Sequence, residues 1–365
     1  MQAHISDIMD LLEDIAPSRF AEDWDNVGLQ LGKRDWPVRT LWVALDPLLE
    51  VVTAACREKV DLLITHHPLI FHPIKNLDFD TPLGAILKRA TENRLGILSA
   101  HTNLDAAADG INDVLALKIG LRKTTALGDE RLNERCTLSI WVKPKQEQSV
   151  LDVIVKAVSV EGRVPPFDGG LGFIRKTVES VIEIGTAKEE KRIRIEATVR
   201  KKEIKSLLEN LQRTLPSEAF DYRVNPLMPA HSGLGLGRIG ELENPLNLRA
   251  LAIFVKEKLG LSHAKVAGPQ DLMVSKAAVC SGSGSGLLSR FFSSTAQAYI
   301  CGDLRYHDAR DAEAQNRGLI DIGHFASERV ILEVLTEQLK IRSAQAGLDM
   351  TVSACGLEKD PFMII

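Results

Sequence analysis

Residues 38–67 read VRTLWVALDPLLEVVTAACREKVDLLITHH, and the fold turns on them. VRTLWVALD (38–46) and DLLITHH (61–67) are short apolar runs that read as buried strands, and LLEVVTAACREK between them reads as a helix. Strand, helix and strand in that order build a parallel pair with a helical crossover. The pattern extends outward on both sides. HISDIMDLLEDI (4–15) places Ile5, Ile8, Leu11 and Leu12 on one helical face. TPLGAILKRATENR (81–94) opens with Thr-Pro, a helix start, LGILSAH (95–101) is a further strand, and another helix runs from Gly110 to Ile119.

The character changes at about 125–135. From there CTLSIWVKP is a strand, EQSVLDVIVKAVS a helix, TVESVIEIG and RIRIEATVR two strands, KKEIKSLLENLQRTL a helix and EAFDYRVNPL a last strand. That order, β-α-β-β-α-β, is the ferredoxin-like pattern, and GRVPPFDGGLGF within it is a Gly/Pro loop. Residues 128–231 therefore read as an inserted α+β domain. Afterwards the α/β alternation resumes with a helix over 244–260, AAVCSGSGSG, the strand AQAYICGDL (296–304), the helix LRYHDARDAEAQ, the strand LIDIGH (319–324), a long helix from FASERV and a last strand LDMTVSAC. Residues 1–127 and 232–365 thus read as two similar α/β halves of one domain, split by the insert.

Composition bounds the function. The chain has 365 residues, 45% hydrophobic and 26% charged, which is ordinary globular usage. Its apolar runs are far shorter than the roughly 18 residues of a membrane span. MQAHISDIMDLLEDIAPS carries acids where a signal peptide is basic, so the expectation is a cytoplasmic protein without a membrane partner. A formal net charge of −4 gives no support to nucleic acid as partner. Cys56, Cys136, Cys280, Cys301 and Cys355 are scattered without a CxxC pair, the usage of buried thiols in a reducing compartment.

The histidines are clustered. Three strands end in them: ITHHPLIF brings His66 and His67, SAHTNLDAA brings His101 and then Asp105, and IGHFASERV brings His324 and then Glu328. Carboxyl ends of strands are where open α/β sheets collect functional residues. His-x-x-x-carboxylate in a helical turn directs an imidazole and a carboxylate to one point. Adjacent His66 and His67 point different ways on extended backbone, which suits two ions better than one. Four imidazoles and two carboxylates exceed one tetrahedral ion; they suit two divalent ions about 3.5–4 Å apart. An all-N/O donor set fits zinc, iron or manganese.

WDNVGLQLG (24–32), THHPLIF (65–71), SAHTNLDAA (99–107), GDLRYHDA (302–309) and IGHFASE (322–328), in this order and with the insert, resemble the Nif-three-like family of dinuclear-metal proteins, described as GTP cyclohydrolase 1 type 2 homologues. The resemblance implies that His66, His67, His101, Asp105, His324 and Glu328 are the metal-facing residues, with Glu328 as the bridge. It implies a CutA-like, PII-like fold for the insert and a toroidal homohexamer with the metal sites facing an internal cavity. His307 and Asp303 in GDLRYHDA match a family motif, and His307 is a candidate acid/base beside the ions. SGSGSG (281–286) before an apolar segment is a candidate phosphate loop or a tight turn. Asn26 and Asn103 are candidate ligand contacts or turn residues, and His4, His72, His231 and His263 carry no partner pattern. The expected function is a metal-dependent hydrolase acting on a nucleotide or phosphoester through a metal-activated water, with His307 and Glu328 catalytic. The alternative is a non-enzymatic, regulatory metal-binding hexamer whose PII-like insert senses a small ligand.

Overall fold

The computed structural model of the chain describes residues 1–127, 135–158, 174–182, 189–200, 203–215, 220–226 and 235–364. They fall into two compact units, Met1–Gly128 with Gly233–Ile365, and Asp129–Ser232. The GRVPPFDGGLGF loop and His231 lie outside the described residues.

The first unit is mixed α/β and holds two main sheets. One runs Thr351–Ala354, Thr40–Ala44, Leu62–Thr65, Gly96–Ser99 and Gly28–Leu31; the first four strands are parallel and the last pairs antiparallel. The other runs Lys265–Ala267, Gly318–Asp321, Ala298–Gly302, Met273–Ser283, Arg238–Asn247 and Leu121–Ala126. Only the two pairings among Gly318–Asp321, Ala298–Gly302 and Met273–Ser283 are parallel; the other three are antiparallel. The central strands match the apolar runs of the sequence because each is buried on both faces. The antiparallel edge strands are additions to the strand–helix alternation read in the sequence. They are short or polar, as in LRKTTA at 121–126 and KVA at 265–267, and edge strands carry no apolar run to betray them.

Helix starts follow their caps. Thr81 Oγ1 accepts the Gly84 N–H at 3.1 Å, with Pro82 in the first turn. The helix expected from residue 244 begins at Leu248 instead, because Asn247 Oδ1 accepts the Ala250 N–H at 2.8 Å and the preceding residues stay in the strand. A single core spans both halves of this unit, joining Leu41, Leu62 and Leu98 of the first to Val279, Ile300 and Ile320 of the second. Arg238 ties them electrostatically. Only 1% exposed, it pairs with Asp113 at 2.5 and 2.8 Å and donates to the carbonyl of Ala107. Breaking such a buried pair costs about 3–5 kcal/mol.

The second unit has one antiparallel sheet, ordered Asp221–Pro226, Arg135–Val142, Glu189–Arg200 and Ile174–Ile182. Helices Glu147–Val158 and Ile204–Thr214 accompany it. Leu138, Ile140, Val150, Ile154, Ile195, Leu207 and Leu211 make a core of its own. Among the described residues, no helix is long and apolar enough to cross a membrane.

Candidate metal centre

The parallel strands of both sheets deliver their carboxyl ends to one place. Thr40–Ala44 runs on to Asp46, Leu62–Thr65 to His66 and His67, Gly96–Ser99 to His101, Ala298–Gly302 to Asp303 and Gly318–Asp321 to His324. The short helical turns Thr102–Ala106 and His324–Glu328 then carry Asp105 and Glu328. The four imidazole rings lie 4.9–5.5 Å apart for each of the pairs His66–His67, His66–His101, His67–His101 and His67–His324. His66, His67 and His101 bring ligand atoms within 4.8 Å of one another, as do His67, His324 and Glu328.

Every one of these rings has its Nδ1 engaged. His66 Nδ1 lies 2.9 Å from the Ala100 carbonyl, His67 Nδ1 2.9 Å from Asp46 Oδ1, His101 Nδ1 2.8 Å from Asp25 Oδ1 and His324 Nδ1 2.6 Å from Asp303 Oδ2. An N–H on Nδ1 leaves the Nε2 lone pair for a metal, the arrangement of outer partners around ligating histidines. Three of the Nε2 atoms address one buried carboxylate. His324 Nε2 is 3.0 Å and His66 Nε2 3.5 Å from Glu328 Oε1, and His67 Nε2 is 3.3 Å from Oε2. His66 and His67 thus serve the two different oxygens of one residue. The spacing at Oε2 and at His66 Nε2 is longer than a good hydrogen bond, and both atoms are buried without a hydrogen-bond partner. Buried polar atoms are otherwise almost always paired. The orphaned pair and the N/O donor set fit divalent metal.

Electrostatics agree with that fit. Burial opposes charge on His66, but Glu328 and Asp105 outweigh it and raise the imidazole to about 9. His324 is raised to about 9 by its hydrogen bond to Glu328 against the cost of burial, with Asp303 adding to the rise. Burial pushes Glu328 up, but His66, His324 and His67 together hold it well below the ordinary carboxylate range. Burial raises Asp105. Asp25, opposed by burial, is brought down to about 2 by His101 and Thr102.

The strand-to-turn segment at 281–284 packs against this cluster. Ser281 Oγ donates to Asp105 Oδ1 at 2.8 Å, the Ser281 N–H to Asn112 Oδ1 at 2.8 Å and the Gly282 N–H to Ser327 Oγ at 2.8 Å. The amides of Ser281 and Gly282 are therefore committed within the protein, and Gly284–Leu287 forms a 3-10 turn, which favours the tight-turn reading of SGSGSG. Gly282 sits at φ +60°, and a Cβ there would run into Glu328 Oε1. Only glycine lets the strand approach the carboxylate so closely. Asp303 holds a left-handed conformation at φ +56°, local strain of the kind kept at functional sites.

Of the other candidates, Asp303 and Asn103 touch cluster histidines, Asn103 Oδ1 accepting the His101 N–H at 2.9 Å. His307 is exposed on the helix Tyr306–Ala314 with its ring against Tyr306, and Asp303 is the GDLRYHDA residue that reaches the cluster. Asn26 Nδ2 donates to Gln30 and the Ile70 carbonyl, and Asn103 Nδ2 to the Ala16 carbonyl, both holding loops in place. His4 precedes the first helix, its N–H donating to Asp7, and His72 stacks edge-on against Phe71. Cys136, Cys280, Cys301 and Cys355 are buried and Cys56 half-buried, all as free thiols. Sequence reasoning missed the roles of Asp25 and Asp46. Asp25 stands in WDNVGLQLG and Asp46 closes the first strand of the decisive stretch, so position at a strand end was the available signal for Asp46. A cavity of about 510 Å³ opens on His67, His324 and Glu328, with His263 and Lys265 on its wall.

The profile of the Duf34/NIF3 (NGG1p interacting factor 3) family matches residues 3–361. A Bacillus subtilis protein named GTP cyclohydrolase 1 type 2 homolog is 30% identical over 372 residues, 98% of each chain. A Mycobacterium tuberculosis protein of the same name is 29% identical over 376 residues, 99% of this chain and 97% of that one. Among solved structures, a Bacillus cereus protein related to NIF3 superposes with a TM-score of 0.71 at 30% identity, covering 100% of this chain and 99% of its own.

Proposed function

The chain belongs to the Duf34/NIF3 family, and from that premise we propose that it is a dinuclear-metal-dependent hydrolase acting on a nucleotide or phosphoester, a reading in line with the name of its relatives, GTP cyclohydrolase 1 type 2 homolog. The observation that carries the reading is the shared orientation of the imidazoles, with Nδ1 engaged on four rings and three Nε2 atoms turned to Glu328. His66, His67, His101, Asp105, His324 and Glu328 would hold two divalent ions, zinc, iron or manganese, with Glu328 shared. Held by these residues, divalent ions would supply a water of lowered pKa, from 15.7 towards about 7. Asp46, Asp25 and Asp303 keep the Nδ1 protons of His67, His101 and His324 in place. Ser281 fixes the rotamer of Asp105, and Ser327 fixes Gly282 beneath Glu328.

Metal-loaded protein is expected to turn over GTP or a generic phosphoester, and Glu328→Gln to lose metal and turnover together. Absence of turnover of either substrate, or unchanged turnover in a metal-free Glu328→Gln protein, would sink the proposal. One observation favours a second reading: the unit Asp129–Ser232 has its own sheet and core and supplies none of the six residues. It suits a regulatory hexamer in which that unit senses a small ligand. Ligand-induced melting shifts that survive deletion of residues 128–231 would contradict it.

A further inference from the structure

The cavity beside the cluster has three kinds of wall. One is the metal-facing group His67, His324 and Glu328, and another is the cation Lys265 on an edge strand. The third is the end of the chain, Asp360 to Ile364, joined by Phe325. Its volume of about 510 Å³ falls within the roughly 300–1,000 Å³ of small-molecule sites.

The tail is built into the site. The Cys355 N–H donates to the Val43 carbonyl at 2.7 Å. The Glu358 carboxylate then accepts the N–H of Leu45 at 2.9 and 3.0 Å and that of Asp46 at 2.7 Å. Asp46 is the carboxylate that orients His67, so the tail is anchored to the backbone of a residue that supports the cluster. The Phe362 N–H closes a turn on Asp360 Oδ1 at 2.8 Å. Beyond this anchor Phe362 and Met363 are 81% and 83% exposed. A fraying terminus also exposes apolar residues, but it does not carry a half-buried carboxylate holding two backbone amides a few residues earlier.

The chemistry of the walls selects a ligand. Phe362, Met363, Ile364 and Phe325 line the cavity, and the Arg329 guanidinium covers one face of the Phe325 ring at 5.7 Å. Asp46 and Asp303 are engaged by histidines, Asp360 by a backbone amide, and Asp321 by the Gly323 N–H. The Lys265 ammonium has three donors and an Asp321 contact of 3.4 Å, which leaves it capacity for an anion.

We propose that the C-terminal segment from Glu358 to Ile364 is the substrate-holding wall of the metal centre, where Phe362 and Phe325 take the face of a planar heteroaromatic ring and Lys265 an anionic group on the same molecule. The proposal rests on the hydrolase reading only in placing the reacting atom at the cluster. Zinc-loaded, full-length protein is compared by equilibrium dialysis with Phe362→Ala, with a stop after Pro361 and with Lys265→Ala, using GTP and guanosine as probes. Zinc content is expected to be equal in all four proteins. Phe362→Ala and the truncation weaken both probes about tenfold, the size of one lost stacking contact. Lys265→Ala weakens GTP about threefold to fivefold, the scale of an exposed ion pair, and leaves guanosine unchanged. Three results overturn the proposal: undiminished binding after truncation, loss of zinc together with the probe, or a parent protein that binds neither probe. Tail-dependent binding without turnover would instead contradict the hydrolase reading and leave the pocket standing.

Discussion

His66 and His324 address the same oxygen of Glu328 and differ in nearly everything else. His66 is 3% exposed and its Nδ1 faces a neutral carbonyl, that of Ala100. The His324 side chain is 37% exposed and its Nδ1 faces the carboxylate of Asp303, itself 46% exposed. Around His66 the carboxylates of Glu328 and Asp105 are already enclosed, and a neutral carbonyl orients the ring without adding charge where desolvation is costly. On the solvent flank water screens the extra charge, so a carboxylate can orient the ring and raise its basicity. One flank holds its ligand by packing and the other by charge, and the two should fail differently.

The largest difference is expected in the metal-free protein. His66→Ala leaves Glu328 and Asp105 without their nearest buried cation and opens a void, and it should cost about 3–5 kcal/mol in denaturant unfolding. His324→Ala should leave the unfolding midpoint near that of the parent while zinc titration shows weakened uptake. Equal destabilisation by the two would break the contrast.

A smaller effect separates the orienting carboxylates. The Asp25 side chain is fully buried and accepts the Thr102 N–H as well as facing His101. Asp25→Asn is therefore expected to lower zinc affinity about 100-fold and Asp303→Asn about tenfold, the two ends of the range for such partners. Isothermal titration against zinc ranks them; the reverse order would mean that exposure does not govern the contribution.

The smallest expected effect is on pH dependence. His66 and His324 are both raised to about 9 in the folded chain, above the unfolded value near 6.5. Their contribution to metal-free stability is then fully present below about pH 6.5 and is lost as pH rises through about 9. Chelated protein should melt a few degrees lower at pH 10 than at pH 6. At neutral pH zinc uptake should release protons, which titration in buffers of different ionisation enthalpy detects. Proton-neutral uptake would contradict the raised values.

The histidines of the cluster are legible because three strands end in them, and Asp105 and Glu328 because each follows one of those histidines within a helical turn. His101 with Asp105 and His324 with Glu328 are each four residues apart, and a helical turn does the rest. The supporting residues are not local. Asp25 reaches His101 across 76 positions, Ser281 reaches Asp105 across 176 and Glu358 reaches Leu45 across 313. Such partners are chosen by tertiary packing, and no spacing in one sequence announces them. The same holds for the edge strands: Leu121–Ala126 is a strand because Arg238–Asn247 pairs with it, not because LRKTTA alternates.

The central claim is that these six side chains form one two-ion centre built around Glu328. Crystals of protein purified without chelator, measured at the absorption edges of zinc, iron and manganese, test it directly. Two anomalous peaks about 3.5–4 Å apart on either side of the Glu328 carboxylate, both absent from Glu328→Gln, are predicted. No peak within reach of Glu328, or the same two peaks in the Glu328→Gln protein, would contradict it.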